Sequence, residues 1–157
     1  MVNRILLRLW RLIRGKPQWY LLWFMHNKFI VGVSGVIFDD QGRILLLRHR
    51  FWMQGVWGLP GGYANKRERL EDTLCREVRE ETGYMIQTTS LIRIVSGYQL
   101  RLEASYRGRF IGGQEHLDNR EVMEARFFHV NELPQGMMRS QREIIRLALA
   151  QNEEHIN

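Results

Sequence analysis

The sequence predicts an α/β domain in which a mixed β-sheet is flanked by helices. A chain of 157 residues with 45% apolar side chains can bury one ordinary core and leaves little room for a second. Strand-like and helix-like patterns follow in the order strands, helix, strands, helix, and turn residues favour hairpins between strands. A basic segment over residues 1–28 precedes this domain, which we assign to residues 29–157.

The basic segment carries the whole excess of positive charge. The formal net charge is +6, and no acidic residue occurs before Asp39. The cations of this segment are Arg4, Arg8, Arg11, Arg14, Lys16 and Lys28. Without these six, 17 of the 23 basic residues remain to balance 17 acidic ones. Extended nucleic-acid binding normally needs a basic stripe, so the neutral domain argues against nucleic acid as a partner.

The basic segment has the pattern of an amphipathic helix. Its four arginines share one side of a helical wheel, and apolar residues such as Leu6 and Leu9 fall on the other. This helix should end at Gly15, before Pro17 and the aromatic run over residues 19–25. The sequence leaves two placements of the basic segment open. The segment packs on the domain or on a second subunit, which we favour, or residues 1–25 make a peripheral contact with a membrane surface.

Neither a membrane span nor an exported form is expected. No apolar run approaches the ~20 residues that a spanning helix requires. Arg8, Arg11 and Arg14 interrupt what would have to be the apolar region of a secretory signal. The single cysteine, Cys75, cannot form an internal disulfide and fits a reducing compartment. We therefore expect the protein in the cytoplasm.

The domain begins with a predicted hairpin, because turn residues over 39–42 separate two strand patterns. A loop rich in Trp and Gly covers residues 51–62, and residues 68–82, which lack Gly and Pro, predict a helix closed by Gly83. A capping box, Ser140-x-x-Glu143, predicts the start of the final helix. The predicted strands cover residues 29–38, 43–48, 86–98, 100–111 and 125–130, with a polar loop over residues 112–120.

Three glutamates of the central predicted helix are candidates for a metal site. Glu77, Glu80 and Glu81 stand at i, i+3 and i+4, so their carboxylates emerge on one helix face. A divalent cation relieves the repulsion among such anions, and carboxylate oxygens suit Mg²⁺ or Mn²⁺, which also take phosphate oxygens as ligands. The pattern therefore predicts phosphate chemistry, although a solvated glutamate-rich helix face would have the same local sequence.

The spacing around these glutamates resembles the box of the Nudix (MutT-like) family. The matching pattern is Gly62-x5-Glu68-x7-Arg76-Glu77-Val78-x-Glu80-Glu81-x-Gly83-Tyr84. The run over residues 57–62 and the sequence Glu132-Leu133-Pro134 are also similar to the family, so the resemblance covers about residues 29–150. It implies a Nudix-type α/β/α sandwich with a mixed β-sheet, to which the N-terminal amphipathic extension is added.

The resemblance also implies roles by position. The implied metal ligands are Glu77, Glu80 and Glu81 together with the carbonyl group of Gly61, and the implied cofactor is Mg²⁺ or Mn²⁺. The box positions with a structural role are Gly62, Glu68, Arg76 and Gly83. Glu68 and Arg76 would hold the loop and the helix together.

The general base is left open by the resemblance. Members of the family use either a glutamate of the box or one from a later loop. Glu77 is the candidate within the box, and Glu80 belongs to the same catalytic cluster. Glu115, in a glycine-rich loop that could act as a lid, and Glu121, just before the last strand, are the downstream candidates. Both could equally be solvated surface residues.

Several box positions depart from the family pattern. Tyr84 stands where an aliphatic residue is usual, and Arg67 replaces the glycine often found before the first box glutamate. Thr73 and Leu74 stand where small alanines are common. No departure removes an implied metal ligand, but together they weaken the transfer of a substrate from the family.

The substrate is the least determined feature. Candidate substrate contacts are Arg48, Arg50, Tyr98 and Arg109, and Arg101 and Arg107 also follow Tyr98. The preferred hypothesis is an Mg-dependent hydrolase that cleaves the diphosphate of a nucleoside diphosphate sugar or an ADP-ribose type substrate. The alternatives are a MutT-like nucleoside triphosphate pyrophosphatase, an RNA 5′-pyrophosphohydrolase and a non-enzymatic nucleotide-binding module. The resemblance also suggests a homodimer, since many family members dimerise.

Overall fold

The computed structural model describes residues 10–11, 13–96 and 99–153. Contacts divide the chain into one unit up to Ile30 and another from Val31 onward. The first unit contains helix α1, Lys16–Met25, with Pro17 in its first turn, where a missing N–H is tolerated. We did not predict this helix. The basic helix predicted before Gly15 lies mostly outside the described residues.

The second unit contains the sheet and two further helices. Its strands are β1 (Ile30–Phe38), β2 (Ile44–His49), β3 (Gly61–Tyr63), β4 (Tyr84–Ser96), β5 (Arg101–Gly113) and β6 (Val122–Phe128). Its helices are α2 (Leu70–Thr82) and α3 (Arg139–Glu153), and a short 3₁₀ turn covers Val130–Glu132. None of the described helices combines the length and the apolar character that crossing a membrane requires.

The strands form one mixed sheet in the order β4-β5-β1-β2-β6, with β3 also paired to β1. β1 runs antiparallel to β2 and β3, β2 to β6, and β4 to β5. Between β1 and β5, Glu103 lies against Gly32, and the hydroxyl oxygens of Ser34 and Ser105 are 3.1 Å apart. Residue numbers thus rise together along these two strands, so they run parallel. This confirms the predicted mixed sheet.

Strand β2 lies between β1 and β6 and is buried on both faces. Leu45 and Leu47 pack with α2 in one apolar cluster, whereas Ile44 and Leu46 pack with α3 in the other. All four side chains are 0% exposed, and burying each contributes roughly 1.5–3 kcal/mol. Helices on opposite faces of a sheet make an α/β/α sandwich, which confirms the predicted fold class.

The strand boundaries differ from the prediction mainly around the glycine-rich segments. Strand β3 lies at the end of the segment predicted to be a loop, because Gly61 and Gly62 pair with β1. Strands β4 and β5 begin or end two residues beyond their predicted limits, since Tyr84 and Gly113 are paired with each other. Strand β6 starts at Val122, which is buried, rather than at residue 125.

The predicted capping box is wrong. Helix α3 begins at Arg139, and the backbone N–H of Arg142 donates to the carbonyl of Met138 at 3.1 Å, so Ser140 lies inside the first turn. Glu143 instead accepts hydrogen bonds from Arg146. The reason is tertiary, because the preceding Met137 is buried in the core and fixes where the helix can start.

The predicted helix stop at Gly83 is confirmed. Gly83 has φ 75°, the left-handed conformation in which helices often end. A Cβ atom at this position would lie 2.3 Å from the carbonyl oxygen of Gln114. Only glycine therefore fits between the end of α2 and the loop after β5, and this contact fixes the end of the glutamate-bearing helix.

Candidate active site

A cleft of about 520 Å³ opens where α2 meets the edge of the sheet. Its walls come from β1, the end of β2 and the loop after it, β3, the start of β5, α2, α3 and the loop before β6. The lining residues on which the chemistry depends are His49, Gly61, Gly62, Glu77, Glu81 and Glu121. Separate parts of the sequence thus supply one polar site.

Arg76 is the centre of a hydrogen-bond network on one side of the cleft. Its Nε donates to Glu68 Oε1 at 2.7 Å, and its Nη1 donates to Glu77 Oε1 at 2.8 Å and to Glu80 Oε2 at 3.1 Å. Its Nη2 donates to the carbonyl oxygen of Tyr63 at 3.1 Å. These carboxylates raise the pKa of Arg76, chiefly through the bond to Glu68. Arg76 therefore fixes two of the helix glutamates and joins them to β3.

Glu68 fastens the loop before α2 to that helix. Its Oε2 accepts hydrogen bonds from the backbone N–H of Asn65 and the hydroxyl of Thr73, both at 3.0 Å. Its pKa falls to about 2, first because of the hydrogen bond from Arg76 and then because of the bond from Asn65. The hydroxyl of Thr73 explains one departure from the family pattern, because an alanine there could not donate this bond.

The three helix glutamates occupy different environments. The Glu77 carboxylate lies against Gly62, where an added Cβ would be 2.2 Å from Glu77 Cδ. Glu77 and Glu81 line the cleft, whereas the Glu80 side chain is 56% exposed and lies outside its lining. Gly61 pairs with Ser34 of β1 and also lines the cleft. The structure thus brings Gly61, Gly62, Glu77 and Glu81 together, with Glu80 beside them.

Glu81 is the most strongly perturbed acid of the site. Its side chain is 9% exposed, and within the described part of the chain its Oε2 is a buried oxygen without a hydrogen-bond partner. Burial raises its pKa to about 8, and the negative charges of Glu77, Glu121, Asp118 and Glu80 add to the effect. A buried carboxylate among other anions is stabilised by a cation, so the residues present fit a divalent metal ion.

His49 and Glu121 complete this cluster. One ligand atom each of His49, Glu81 and Glu121 lie within 4.8 Å of one another, and His49 Nε2 is 3.5 Å from Glu81 Oε1. Burial lowers the pKa of His49, and the charge of Glu121 opposes this shift. The ring of Trp52 lies 4.3 Å from the His49 ring, centroid to centroid. A neutral imidazole held in this way can serve as a metal ligand or a hydrogen-bond partner.

The two downstream glutamates are placed differently. Glu121 lines the cleft, and among the described residues its carboxylate takes part in no hydrogen bond or ion pair. Glu115 accepts a hydrogen bond from the Tyr84 hydroxyl at 2.7 Å and is not part of the cleft lining. The unusual tyrosine of the box therefore holds Glu115 near the end of α2.

Three of the predicted substrate arginines, Arg48, Arg50 and Arg109, are not part of the cleft lining. Arg48 forms an ion pair with Glu124 at 3.1 Å, and Arg50 donates to the backbone carbonyl of Asn119 at 3.2 Å. Arg109 donates two hydrogen bonds, at 2.9 and 2.6 Å, to the side-chain oxygen of Gln87 on the neighbouring strand. The fourth predicted contact, Tyr98, lies outside the described residues.

Two residues of the cleft, His49 and Glu103, were given no role by the sequence analysis, which had named Arg101 among the arginines near the candidate substrate contacts. Arg101 and Glu103 of β5 line the cleft, and Arg101 Nε donates to Glu103 Oε1 at 2.6 Å. His49 and Trp52 line it from the end of β2 and the loop that follows. Position at the end of a strand was the only sequence signal for His49, and nothing distinguished Glu103 from other strand residues.

A family model described as NUDIX domain matches residues 28–148. The chain belongs to the Nudix family. Nudix proteins generally use a divalent metal ion, which agrees with the fit of the acidic cluster. The resemblance inferred from the box is thereby confirmed.

Individual relatives agree with this assignment. The Nudix chain is 31% identical over 112 residues to an ADP-ribose pyrophosphatase of Methanocaldococcus jannaschii, covering 66% of this chain and 64% of the relative. It is 40% identical over 65 residues to the human protein named nucleoside diphosphate-linked moiety X motif 6, covering 41% of this chain and 21% of the relative. The chain thus spans less than two thirds of the length of either protein.

A solved structure gives the same fold. The crystal structure of a MutT NUDIX hydrolase from Burkholderia pseudomallei superposes with a TM-score of 0.65 at 27% sequence identity. The match covers 77% of this chain and 98% of that protein. The sandwich and its loop-helix-loop site are therefore those of a Nudix protein.

Proposed function

We propose that this Nudix protein is a pyrophosphohydrolase dependent on a divalent cation. It cleaves the diphosphate of a nucleoside diphosphate that is linked to another moiety, with a nucleoside diphosphate sugar or ADP-ribose as the first choice. The observation that carries the proposal is the buried, unpartnered oxygen of Glu81 within a cluster of carboxylates. The names of the archaeal and human relatives support the substrate class.

The acidic cluster would hold Mg²⁺ or Mn²⁺. Glu77, Glu80 and Glu81 would supply carboxylate oxygens and Gly61 its carbonyl oxygen, with His49 close to Glu81. Oxygen donors favour Mg²⁺, whereas the nearby imidazole also suits Mn²⁺. When bound, the cation supplies Lewis acidity and neutralises negative charge on the diphosphate.

Within this arrangement, the protein's own groups orient the ligands and move a proton. Arg76 fixes the Glu77 and Glu80 carboxylates through hydrogen bonds, so these ligands need not reorganise when the substrate binds. Glu121 is our choice for the general base that takes a proton from the attacking water. It lines the cleft with a free carboxylate, whereas Glu115 is held by Tyr84.

The shape of the surface favours a substrate with a group at each end of the diphosphate. A second cavity of about 530 Å³ shares Ser34, Arg101, Glu103 and Gln141 with the cleft, so the two are adjacent. Its further lining is mixed, with the polar residues Arg93, Ser96, Ser105 and Ser140 and the apolar residues Val95, Met138 and Ile144. Hydroxyl and guanidinium groups of this kind suit a polyhydroxylated or phosphorylated moiety.

The proposal is tested by a substrate panel with the purified full chain. The panel contains ADP-ribose, nucleotide sugars, dinucleotides, nucleoside triphosphates and 5′-triphosphate or capped RNA, each with Mg²⁺, with Mn²⁺ and with chelator. We expect phosphate-containing products from the nucleoside diphosphate conjugates, abolished by chelator and restored by the metal. Preference for triphosphates or RNA would replace our first choice by that alternative. Inertness toward every member, with nucleotide binding retained, would support a binding module.

Three further properties are proposed on sequence grounds: the domain boundaries, the compartment and the oligomeric state. The segment over residues 1–28 is treated as an extension of the catalytic domain over residues 29–157, and the protein is proposed to be a cytoplasmic homodimer. The lone Cys75 supports a reducing compartment. Light scattering of the full chain measures the mass in solution, and a monomeric mass would exclude the dimer.

A further inference from the structure

Helix α1 presents apolar side chains to solvent on every side. Seven consecutive residues, Trp19, Tyr20, Leu21, Leu22, Trp23, Phe24 and Met25, are each between 40% and 80% exposed. Four of these are aromatic, and each large aromatic side chain offers roughly 150–250 Å² of surface. Such an exposed apolar surface is unusual in a water-soluble protein and marks a binding surface.

The charge of the surrounding segment limits what this surface can bind. Every ionised side chain before Asp39 is basic, and six arginines and lysines flank or precede the aromatic residues. Lys28 Nζ lies 4.4 Å from the centroid of the Trp23 ring, so positive charge and aromatic surface are adjacent. The complementary partner is therefore anionic at its surface and apolar beneath it.

The short length of α1 limits how deeply it can enter such a partner, for example a lipid bilayer. A helix of 10 residues is about 15 Å long, half the thickness of the hydrocarbon core of a bilayer. Trp and Tyr side chains favour the region of the lipid headgroups, where an apolar ring and a polar group are both accommodated. The length of α1 and its Trp and Tyr side chains therefore fit a segment that enters the headgroup region and does not cross the hydrocarbon core.

A second copy of the chain is a poorer partner for this surface. The remainder of the chain has 17 basic and 17 acidic residues, so it offers no net negative charge. Two basic segments brought together would repel each other. Anionic lipid supplies attraction of about 1 kcal/mol for each basic residue near its surface. The observations therefore favour a lipid surface over self-association.

We propose that residues 1–28 bind the surface of an anionic membrane, with the aromatic side chains of α1 in the headgroup region. The proposal concerns where the protein acts and is independent of the reaction proposed for the cleft. It develops the second of the two placements that the sequence leaves open for this segment, contact with a membrane surface, and packing against protein is an outcome of the test.

The test uses sedimentation of the full chain with vesicles of phosphatidylcholine, with and without phosphatidylserine. We expect at least about tenfold stronger binding to the anionic vesicles, reduced by high salt. The double variant Trp23→Ser/Phe24→Ser should lose most of this binding. Its matched control, Phe51→Ser/Ile111→Ser, removes equally exposed apolar groups from the domain and should bind as the parent does.

A second pair of variants tests the charge contribution. Arg8→Gln/Arg14→Gln should weaken binding to anionic vesicles, whereas Arg120→Gln/Arg139→Gln, with the same change in net charge, should not. Equal binding to neutral and anionic vesicles, or retention of binding by Trp23→Ser/Phe24→Ser, would overturn the proposal. A fall in solution mass for that variant, with no lipid binding by the parent, would instead identify a protein interface. Substrate turnover without vesicles should be unchanged in all four variants.

Discussion

Two glutamates of the Nudix box, Glu68 and Glu81, lie near opposite ends of the same loop-helix-loop and have opposite electrostatics. Glu68 receives hydrogen bonds from Arg76, Asn65 and Thr73, and its pKa falls to about 2. Glu81 is buried with one oxygen unsatisfied, and its pKa rises to about 8. Side chains and a backbone N–H of the protein neutralise the first carboxylate, whereas the second has no such partners among the described residues, which supports the cation site proposed above. This difference separates a structural acid from a functional one.

The largest effect is expected for Glu81→Gln. Removing the carboxylate removes a cation ligand, so we expect the turnover number to fall about a thousandfold, or about 4 kcal/mol. Because the amide is uncharged, the metal-free fold should remain at least as stable as that of the parent. Steady-state kinetics and thermal unfolding of the same preparation measure both quantities. Glu132→Gln, an exposed glutamate outside the site, is the matched control.

The assignment of Glu81 as the functional acid would be wrong if Glu81→Gln unfolded at a lower temperature than the parent and kept its activity. That result would make Glu81 a structural acid like Glu68. Calorimetric titration with Mn²⁺ gives an independent measure, since a ligand role requires weaker metal binding in Glu81→Gln than in Glu132→Gln.

The next effect concerns the two downstream glutamates. Glu121→Gln should lower the turnover number about a hundredfold with little change in KM, because general base catalysis contributes at least that factor. Glu115→Gln only weakens an exposed hydrogen bond from Tyr84, because the amide oxygen still accepts it, and should remain within a few-fold of the parent. Equal losses in the two variants would mean that Glu115 leaves Tyr84 and enters the cleft during turnover.

Glu68→Gln should lower activity less than Glu81→Gln or Glu121→Gln does, and it should lower stability more than Glu81→Gln does. The variant keeps the shape of the side chain but weakens its bonds to Arg76, so Glu77 and Glu80 are less firmly oriented. Groups that orient metal ligands typically contribute 10–100-fold to metal affinity or activity. The melting temperature should fall in Glu68→Gln and hold in Glu81→Gln. The reverse order would contradict the assignment of Glu68 as the structural acid.

The pH dependence of stability should also separate the two glutamates. Because the pKa of Glu81 is raised, its contribution is fully present below about pH 4.5 and is lost as the pH rises through about 8. Relative to Glu81→Gln, the metal-free parent should lose stability progressively over this range. The pKa of Glu68 is lowered, so its contribution is present above about pH 4.5 and is lost toward pH 2. Denaturant unfolding at several pH values measures both trends, and added Mg²⁺ should reduce the loss at high pH.

The sequence was sufficient to predict the sandwich, the glutamate helix and its end at Gly83, because these depend on local periodicity, on box spacing and on one obligatory glycine. Arg101 and Glu103 reach the cleft only because β5 runs beside β1, a long-range pairing that no local pattern encodes. The start of α3 was misplaced for the same reason. Its local capping signal is overridden by the burial of Met137.

The smallest predicted effect is a change in the free energy of unfolding at Arg67, in the loop that Glu68 fastens to α2. Arg67 has φ 66°, a left-handed conformation that costs a non-glycine residue on the order of 1–2 kcal/mol. Glycine removes this strain but is itself more flexible when unfolded, so Arg67→Gly should stabilise the fold by about 0.5–1 kcal/mol. Lys66→Gly, at a neighbouring position that is not left-handed, should destabilise it by a similar amount. If both variants are destabilised alike, the Arg67 side chain contributes to holding the loop. The loop would then depend on more than the hydrogen bonds of Glu68.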